Sequence, residues 1–345
     1  MVVKIGIDLG YANITLSNAI ADIYREPSVV LVDKNSRRIL AVGAKAALGD
    51  ESIMPDCEGI LVRPFKNGLL YSSELTREII KNVVAAVKPA DKIRCIIGLP
   101  SDMLTKQESE IFSMLEDAGV SECFSVERAV AALIGAGYAP TISAISINIG
   151  AASTEIAVIH KGEIIISERT QVGGEDFDKA IKQHILEQGD MNVSLLVART
   201  IKERLGAVWQ GRASESIDIE GTLSLTGSKV KMSLATEDIV GVFEKPLQQL
   251  LMAVANAIKK IPMDFVNDIF DNGIILTGGG AELYGLDTML EKVLGITVTK
   301  PTNAMDSVSK GLSRIHTFLP VKKKISNKNI TTQLSKFYEA KKSQK

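Results

Sequence analysis

The sequence predicts an α/β protein of two lobes, built as duplicated mixed-sheet halves that each carry a small inserted subdomain. Three segments support this: Asp8-Leu9-Gly10-Tyr11-Ala12-Asn13, Asn148-Ile149-Gly150-Ala151-Ala152-Ser153-Thr154 and Thr277-Gly278-Gly279-Gly280-Ala281. Each follows an apolar run of strand type, over residues 2–7, 142–147 and 274–276, so each reads as a tight turn leaving a strand. Turns of small residues expose consecutive backbone N–H groups, which bind phosphate oxygens well. The first two turns lie about 140 residues apart and the third about 130 further on. That order suggests a phosphate-bearing ligand clamped between two repeated halves.

The elements follow in order. A strand over residues 3–7 and a second over 14–17 lead into an irregular region reaching about residue 72, read as the first inserted subdomain. Leu75, Ile79, Ile80, Val83, Val84 and Val87 recur at helical spacing, and residues 93–97 form a strand ending at Leu99-Pro100. Thr105 with Glu108 reads as a capping box for the next helix, which Gly119 ends. A helix from about Glu127 to Ile134 delivers the strand before Asn148. The second half repeats the scheme: strands over 154–159 and 163–167, the turn Val172-Gly173-Gly174, then helices near 194–205 and 237–261 around a polar strand region at about 210–235. The expected division is 1–140 for the first lobe with an insert at about 32–72, and 141–305 for the second with an insert at about 180–245. Residues 306–320 return to the first lobe, and 321–345 form a basic tail.

At 345 residues the chain exceeds what one core normally organises, while 46% hydrophobic and 23% charged residues supply an ordinary core and surface. The apolar stretch 129–139 is too short to span a bilayer, and no signal-peptide pattern precedes Asp8, so a cytoplasmic protein is expected. Cys57, Cys95 and Cys123 are widely spaced without a C-x-x-C pair, which argues against a disulfide framework or a zinc site. His160, His184 and His316 are equally scattered and read as structural. The net charge of −1 hides an asymmetry, because residues 320–345 hold eight lysines and one acid. That tail suits an anionic membrane or an acidic partner, and Ile330, Leu334, Phe337 and Tyr338 fall on one helical face of the kind an interfacial helix presents. No sequence-specific nucleic-acid partner is expected.

Over residues 1 to about 320 the chain resembles bacterial actins of the MreB type. The matching blocks are Gly6-Ile7-Asp8-Leu9-Gly10, Glu26-Pro27-Ser28-Val29-Val30, Arg63-Pro64-Phe65-Lys66-Asn67-Gly68, Ile134-Gly135-Ala136-Gly137, Thr154-Glu155-Ile156-Ala157-Val158, Val172-Gly173-Gly174 and Gly273 through Ala281. The resemblance implies a two-lobed actin-like ATPase fold, ATP or ADP with Mg2+ in the interlobe cleft, self-association into polymers, and a cytoskeletal role in cell shape at the inner face of the membrane. It places Asp8 near the nucleotide-bound Mg2+, directly or through water. It places Gly10, Tyr11, Ala12 and Asn13 in the first phosphate hairpin, and Gly150, Ala151, Ala152 and Ser153 in the second, with Gly173 and Gly174 beside it. Lys202 and Glu203 match the pair lining adenine and ribose, and Gly278, Gly279, Gly280 and Ala281 match the adenosine turn. Tyr11 stands where a small hydroxyl residue is usual, so it is expected to crowd the β-phosphate.

Two departures fall on the catalytic machinery. Asn148 replaces the aspartate that opens the family's second hairpin, and Ala151 and Ala152 replace two glycines. Arg128 aligns with the glutamate or glutamine that polarises the attacking water, and Glu127 beside it is expected to point elsewhere. Arginine stays protonated and an amide cannot offset a cation's charge. The sequence therefore implies a filament or scaffold subunit that binds nucleotide with weak or no hydrolysis. The alternatives are a non-polymerising adaptor and an active ATPase or kinase of the same superfamily.

Overall fold

The computed structural model describes residues 2–20, 22–48, 58–66, 69–87, 90, 92–320 and 328–343. Two five-stranded sheets organise it. In the first, the strands Asp22–Pro27, Asn13–Ser17 and Val2–Leu9 run antiparallel as a meander, and Lys92–Leu99 and Glu122–Glu127 add in parallel beyond Val2–Leu9. In the second, Glu163–Thr170, Thr154–His160 and Ala144–Ile149 form the meander, extended in parallel by Ile274–Thr277 and Val298–Thr299. The two orders are the same, so the repeat inferred from two hairpin turns extends to whole sheets.

Two three-stranded sheets stand apart from these. One joins Val30–Asp33, Ile39–Val42 and Gly59–Val62, the other Met191–Asn192, Ser216–Leu223 and Lys229–Ala235. The helix Ser73–Ala85 starts where the Ser72 side chain accepts from the Leu75 N–H, and it buries Leu75, Ile79, Ile80, Val83 and Val84 as the spacing predicts.

Two expected helix boundaries differ. Thr105 caps nothing: its hydroxyl donates to the Asp102 carbonyl inside the helix Ser101–Lys106. The helix Glu108–Asp117 starts at Gln107, whose side chain is engaged with the backbone of Leu70. The long helix expected over 237–261 is two, Thr236–Ile239 and Glu244–Lys259, because Gly241 takes φ +86° between them.

Each lobe has its own apolar core, and a third core lies between them around the helices Arg128–Gly135 and Ser307–Ile315. These helices cross in close contact. A Cβ on Gly135 would sit 1.7 Å from the Ser307 carbonyl oxygen, and one on Gly311 would sit 1.8 Å from that of Ala131, so only glycine permits the crossing. The crossing is tied to both sheets, since Ser17 Oγ donates to the Ser309 carbonyl (2.8 Å) and Ser146 Oγ to that of Ala129 (2.9 Å).

At the end of the second crossing helix, His316 Nε2 donates to the Ile5 carbonyl at 2.9 Å, and burial pulls its pKa down to about 4. A folded-state pKa below the unfolded value of about 6.5 means that the unfolded chain takes the proton first. Stability is then complete above pH 6.5 and falls by about 3 kcal/mol in all as pH drops to 4. His316→Gln, which keeps a donor for Ile5, is expected to flatten that loss in urea titrations at pH 7 and pH 4.5.

The tail departs from its expected role. Ile330 and Leu334 are fully buried in the interlobe core, Phe337 packs against it, and Tyr338 stacks edge-on against Phe318. Asn329 bridges to Ser125, the Ser125 N–H donates to the Lys328 carbonyl, and Lys328 Nζ lies 3.1 Å from Glu116. The apolar face is thus spent on the protein's own body rather than presented to a membrane, because burial against the body removes the same surface from water. Lys322, Lys323 and Lys324 lie outside the described residues, as do most of residues 88–91. Leu334→Ala is expected to cost about 2–5 kcal/mol, read as a lowered urea midpoint. An unchanged midpoint would show that the tail packs without stabilising the body.

Candidate functional site

The two hairpins face one another across the lobes in matching register. Leu9 pairs with Ile14 and Ile149 with Thr154, which leaves residues 10–13 and 150–153 as the turns. A Cβ on Gly10 would lie 2.4 Å from the Asn13 carbonyl oxygen, so that position requires glycine. In the second turn the Gly150 N–H donates to the Ser153 carbonyl at 2.9 Å. Ala151 and Ala152 fill the interior of that turn, where their methyl groups leave it intact.

The glycines around the second hairpin divide into two roles. Gly174, Gly278, Gly279 and Gly280 line the cleft. Gly173 lies behind the hairpin, where a Cβ would meet Ala151 O and Ser153 N at 2.6 Å. The Gly174 and Glu175 N–H groups, at the start of the helix Gly174–Gly189, donate to Gly150 and Ala151. Gly278, at φ +86°, and Gly280 press on Ile149, while Ala281 is buried in the core.

Between the hairpins lies a cleft of about 360 Å³. Asp8, Gly10, Tyr11, Ala12, Asn13, Arg128, Asn148, Gly150, Ala151, Ala152, Ser153, Lys202 and Glu203 line it together with the four glycines named above. Its wall also includes Phe65, from a matching block but given no role there, and side chains that no motif marked: Arg25, Arg199, Arg212, Glu282 and Met305. Arg25 Nη2 is held 2.7 Å from Asp306, and the Arg212 guanidinium donates to the Gly206 carbonyl and lies over the Tyr284 ring. These arginines come from segments that read as irregular chain, plain helix or polar strand, so only a surplus of cations facing the turns would have signalled them.

Arg128 sits at the floor. It opens the helix Arg128–Gly135, and its side chain is 11% exposed. Nε lies 3.2 Å from Asp8 Oδ1, Nη1 donates to Glu155 Oε1 at 3.0 Å, and Nη2 donates to the Leu9 carbonyl at 3.2 Å. Asp8 pairs with Thr15 and Asn148 with Glu155 across the strands, so the guanidinium bridges the roots of both hairpins. Burial pushes the Asp8 and Glu155 carboxyls up despite the nearby guanidinium. Burial also pulls Arg128 down, but Glu155 and Asp8 more than offset this, and it stays cationic.

Glu127, the last residue of its strand, turns to the other lobe and accepts from Ser167 Oγ at 3.2 Å. Ser167 also meets Ser101 at 2.7 Å, and Arg169 pairs with Asp102 beside it. A row of polar ties therefore joins the lobes along this side.

The remaining expected groups are held by neighbours. Lys202 Nζ is 2.6 Å from Asp178 Oδ1 and donates to the Gly174 carbonyl at 2.7 Å, beneath the second hairpin. Asn148 accepts at Oδ1 from the Thr277 hydroxyl at 3.5 Å. Tyr11 lines a shallow pocket together with Glu175 of the other lobe, and the Arg63 guanidinium lies 4.9 Å over the tyrosine ring. Burial, followed by the Glu175 charge, pushes the Tyr11 pKa up.

Turns facing each other, a cationic wall and this volume fit a nucleotide. A directly bound dication fits poorly. One ligated by Asp8 Oδ1, which is 3.2 Å from Arg128 Nε, would lie no more than about 5.5 Å from the guanidinium, a repulsion of at least about 6 kcal/mol at an effective dielectric constant of about 20. Asp8 and Glu155 are both tied to the Arg128 guanidinium, Glu155 does not line the cleft, and Asn148 carries no charge, so the floor offers a hard cation few free anionic oxygens.

The model of the MreB/Mbl protein family matches residues 2–324. The cell shape-determining protein Mbl of Bacillus cereus is 30% identical over 316 residues, covering 89% of this chain and 93% of that one. The cell shape-determining protein MreB of Escherichia coli is 27% identical over 322 residues, covering 89% and 91%. Among solved structures, MreB5 of Spiroplasma citri bound to ADP superposes with a TM-score of 0.82 at 21% identity, covering 89% of this chain and 94% of that one. The MamK double helical filament superposes with a TM-score of 0.77 at 20% identity, covering 93% and 100%. At that level of identity the two structures show a shared fold.

Proposed function

The chain belongs to the MreB/Mbl family, and from that premise we propose that it is an actin-like cytoskeletal subunit that polymerises in the cytoplasm. In this reading it holds ATP or ADP between the two hairpins and hydrolyses it slowly or not at all. Head-to-tail association of identical subunits is a heterologous contact that does not close, so it yields a polymer. The observation that carries the reading is the seat of Arg128. Where the resemblance places a group that polarises water, the floor holds a buried cation paired to Asp8 and Glu155, which cannot accept a proton. Loss of such a group costs several factors of ten in rate, each about 1.4 kcal/mol of barrier.

The row of ties from Arg128, Glu127 and Asp102 to the opposite lobe supports a lobe arrangement held by the protein itself. Assembly then needs no turnover. Any attraction to an anionic membrane or an acidic partner rests in this reading on the lysines of residues 321–345 alone, because Ile330 and Leu334 are already buried.

Sedimentation with ATP, with ADP and without nucleotide, alongside phosphate release, tests the proposal. Pelleting is expected to outrun phosphate release by far. Rapid release that keeps pace with assembly and disappears in Asp8→Ala would sink it. A chain that never pellets would favour the adaptor reading.

A further inference from the structure

We propose that Arg128 is the fixed countercharge of the phosphate site, so that the cleft takes a nucleoside di- or triphosphate without a divalent cation. The inference rests on the nucleotide-binding reading and deepens it. A nucleotide's phosphates carry several negative charges, and a site that binds them must supply positive charge near the turns. In many phosphate sites a metal ion does so. Here three features put a protein cation in that position.

The first is place. Arg128 Nη2 donates to Leu9, the residue before the first turn, and Nη1 to Glu155, the strand partner of Asn148 at the second. The guanidinium therefore sits on the line between the two hairpins.

The second is unfinished bonding. Arg128 Nε and Asp8 Oδ1 are both buried, and neither makes a hydrogen bond among the described residues, although they lie 3.2 Å apart. Nη1 and Nη2 each donate once within the protein, to Glu155 and Leu9, so each keeps a second N–H on a residue lining the cleft that can take an anionic oxygen, and charge-assisted hydrogen bonds of this type are about twice as strong as neutral ones.

The third is the metal ligands. A hard cation needs anionic oxygens, yet the Asp8 carboxylate is held by Arg128 and Asn148 offers only a neutral amide. Among the described residues no group of three or more His, Cys, Asp or Glu side chains is placed to hold a metal ion. Other cations on the wall, Arg25, Arg199 and Arg212, add to the field that draws a polyphosphate.

The test measures ADP affinity by calorimetry on the full-length protein, once in excess EDTA and once in millimolar Mg2+, with a parallel melt of nucleotide-free protein titrated with Mn2+. Expected are dissociation constants within about threefold of each other and no Mn2+-dependent shift of the melt. Arg128→Gln is expected to lose tenfold or more in ADP affinity in EDTA and to regain part of it in Mg2+. Wild-type binding that appears only in Mg2+, or falls a hundredfold on chelation, overturns this inference and leaves the nucleotide reading standing. No binding under either condition overturns the nucleotide reading, and the inference with it. The wild-type comparison decides the matter even where Arg128→Gln fails to fold.

Discussion

Arg128→Met is expected to destabilise the protein by about 3–5 kcal/mol, because it leaves Asp8 and Glu155 as buried charges without their cation. Methionine matches much of arginine's length, so lost packing contributes little and the penalty is mainly electrostatic. Adding Asp8→Asn and Glu155→Gln in the same chain is expected to restore most of the loss, since replacing every charge of a buried cluster is far less costly than removing one partner. The pH dependence has a definite sign. Burial already raises both carboxyl pKa values in the folded state, and loss of the guanidinium raises them further. A group with a raised folded-state pKa gives stability that is present below its unfolded value, near 4, and lost as pH rises through the folded value. The deficit of Arg128→Met relative to wild type should therefore shrink as pH falls from 7 toward 4. Taking the difference cancels His316, which weakens both proteins in acid. Urea midpoints at several pH values read this directly. A pH-independent deficit would assign the loss to packing instead.

What could be read from the sequence was mostly local. The hairpins at Gly10 and Gly150 were legible because a tight turn demands small residues at fixed places within a few positions. The matching order of the two five-stranded sheets was not. It depends on short parallel strands such as Ile274–Thr277 arriving from more than a hundred residues away, with no repeat in the sequence to announce them.

The apolar residues of the tail were picked out, although Ile330 lies ahead of the helix Leu334–Lys342 rather than on it, and an amphipathic face states only that something apolar covers it. For Ile330 and Leu334 the cover is the interlobe core, where the surface of a membrane was one candidate. Thr105 with Glu108 had the spacing of a capping box, but the backbone continues helically through Thr105 and its hydroxyl is used within the turn.

In the site, Arg128 was legible as a departure and its partner was not. Glu155 sits on a strand of the other lobe, 27 positions on, and only the closed arrangement of the lobes brings them together. Gly173 and Ala281 lie in motifs that line the cleft, but they act behind it, one against the second hairpin and one in the core.

The largest gain of function is expected from Arg128→Glu combined with Asn148→Asp. The pair removes the guanidinium from the floor and places two more carboxylates beside Asp8 and Glu155, one at the head of the helix Arg128–Gly135 and one at the root of the second hairpin. A carboxylate can accept a proton from water or hold it by a hydrogen bond, which arginine cannot do. In Mg2+ the double variant is therefore expected to release phosphate from ATP at least tenfold faster than the parent, and each factor of ten is worth about 1.4 kcal/mol of barrier. Either single change should do much less, since groups that serve one transition state do not act additively. The double variant concentrates the most buried like charge, four carboxylates against three in Arg128→Glu alone, and should be the least stable of the three variants in EDTA. Affinity must be measured beside turnover, because Arg128 itself is proposed to hold the phosphates. Unchanged ATP affinity with no gain in phosphate release would place the hydrolytic defect elsewhere. The remaining suspects would then be Tyr11 and the two alanines of the second hairpin, Ala151 and Ala152, all of which line the cleft.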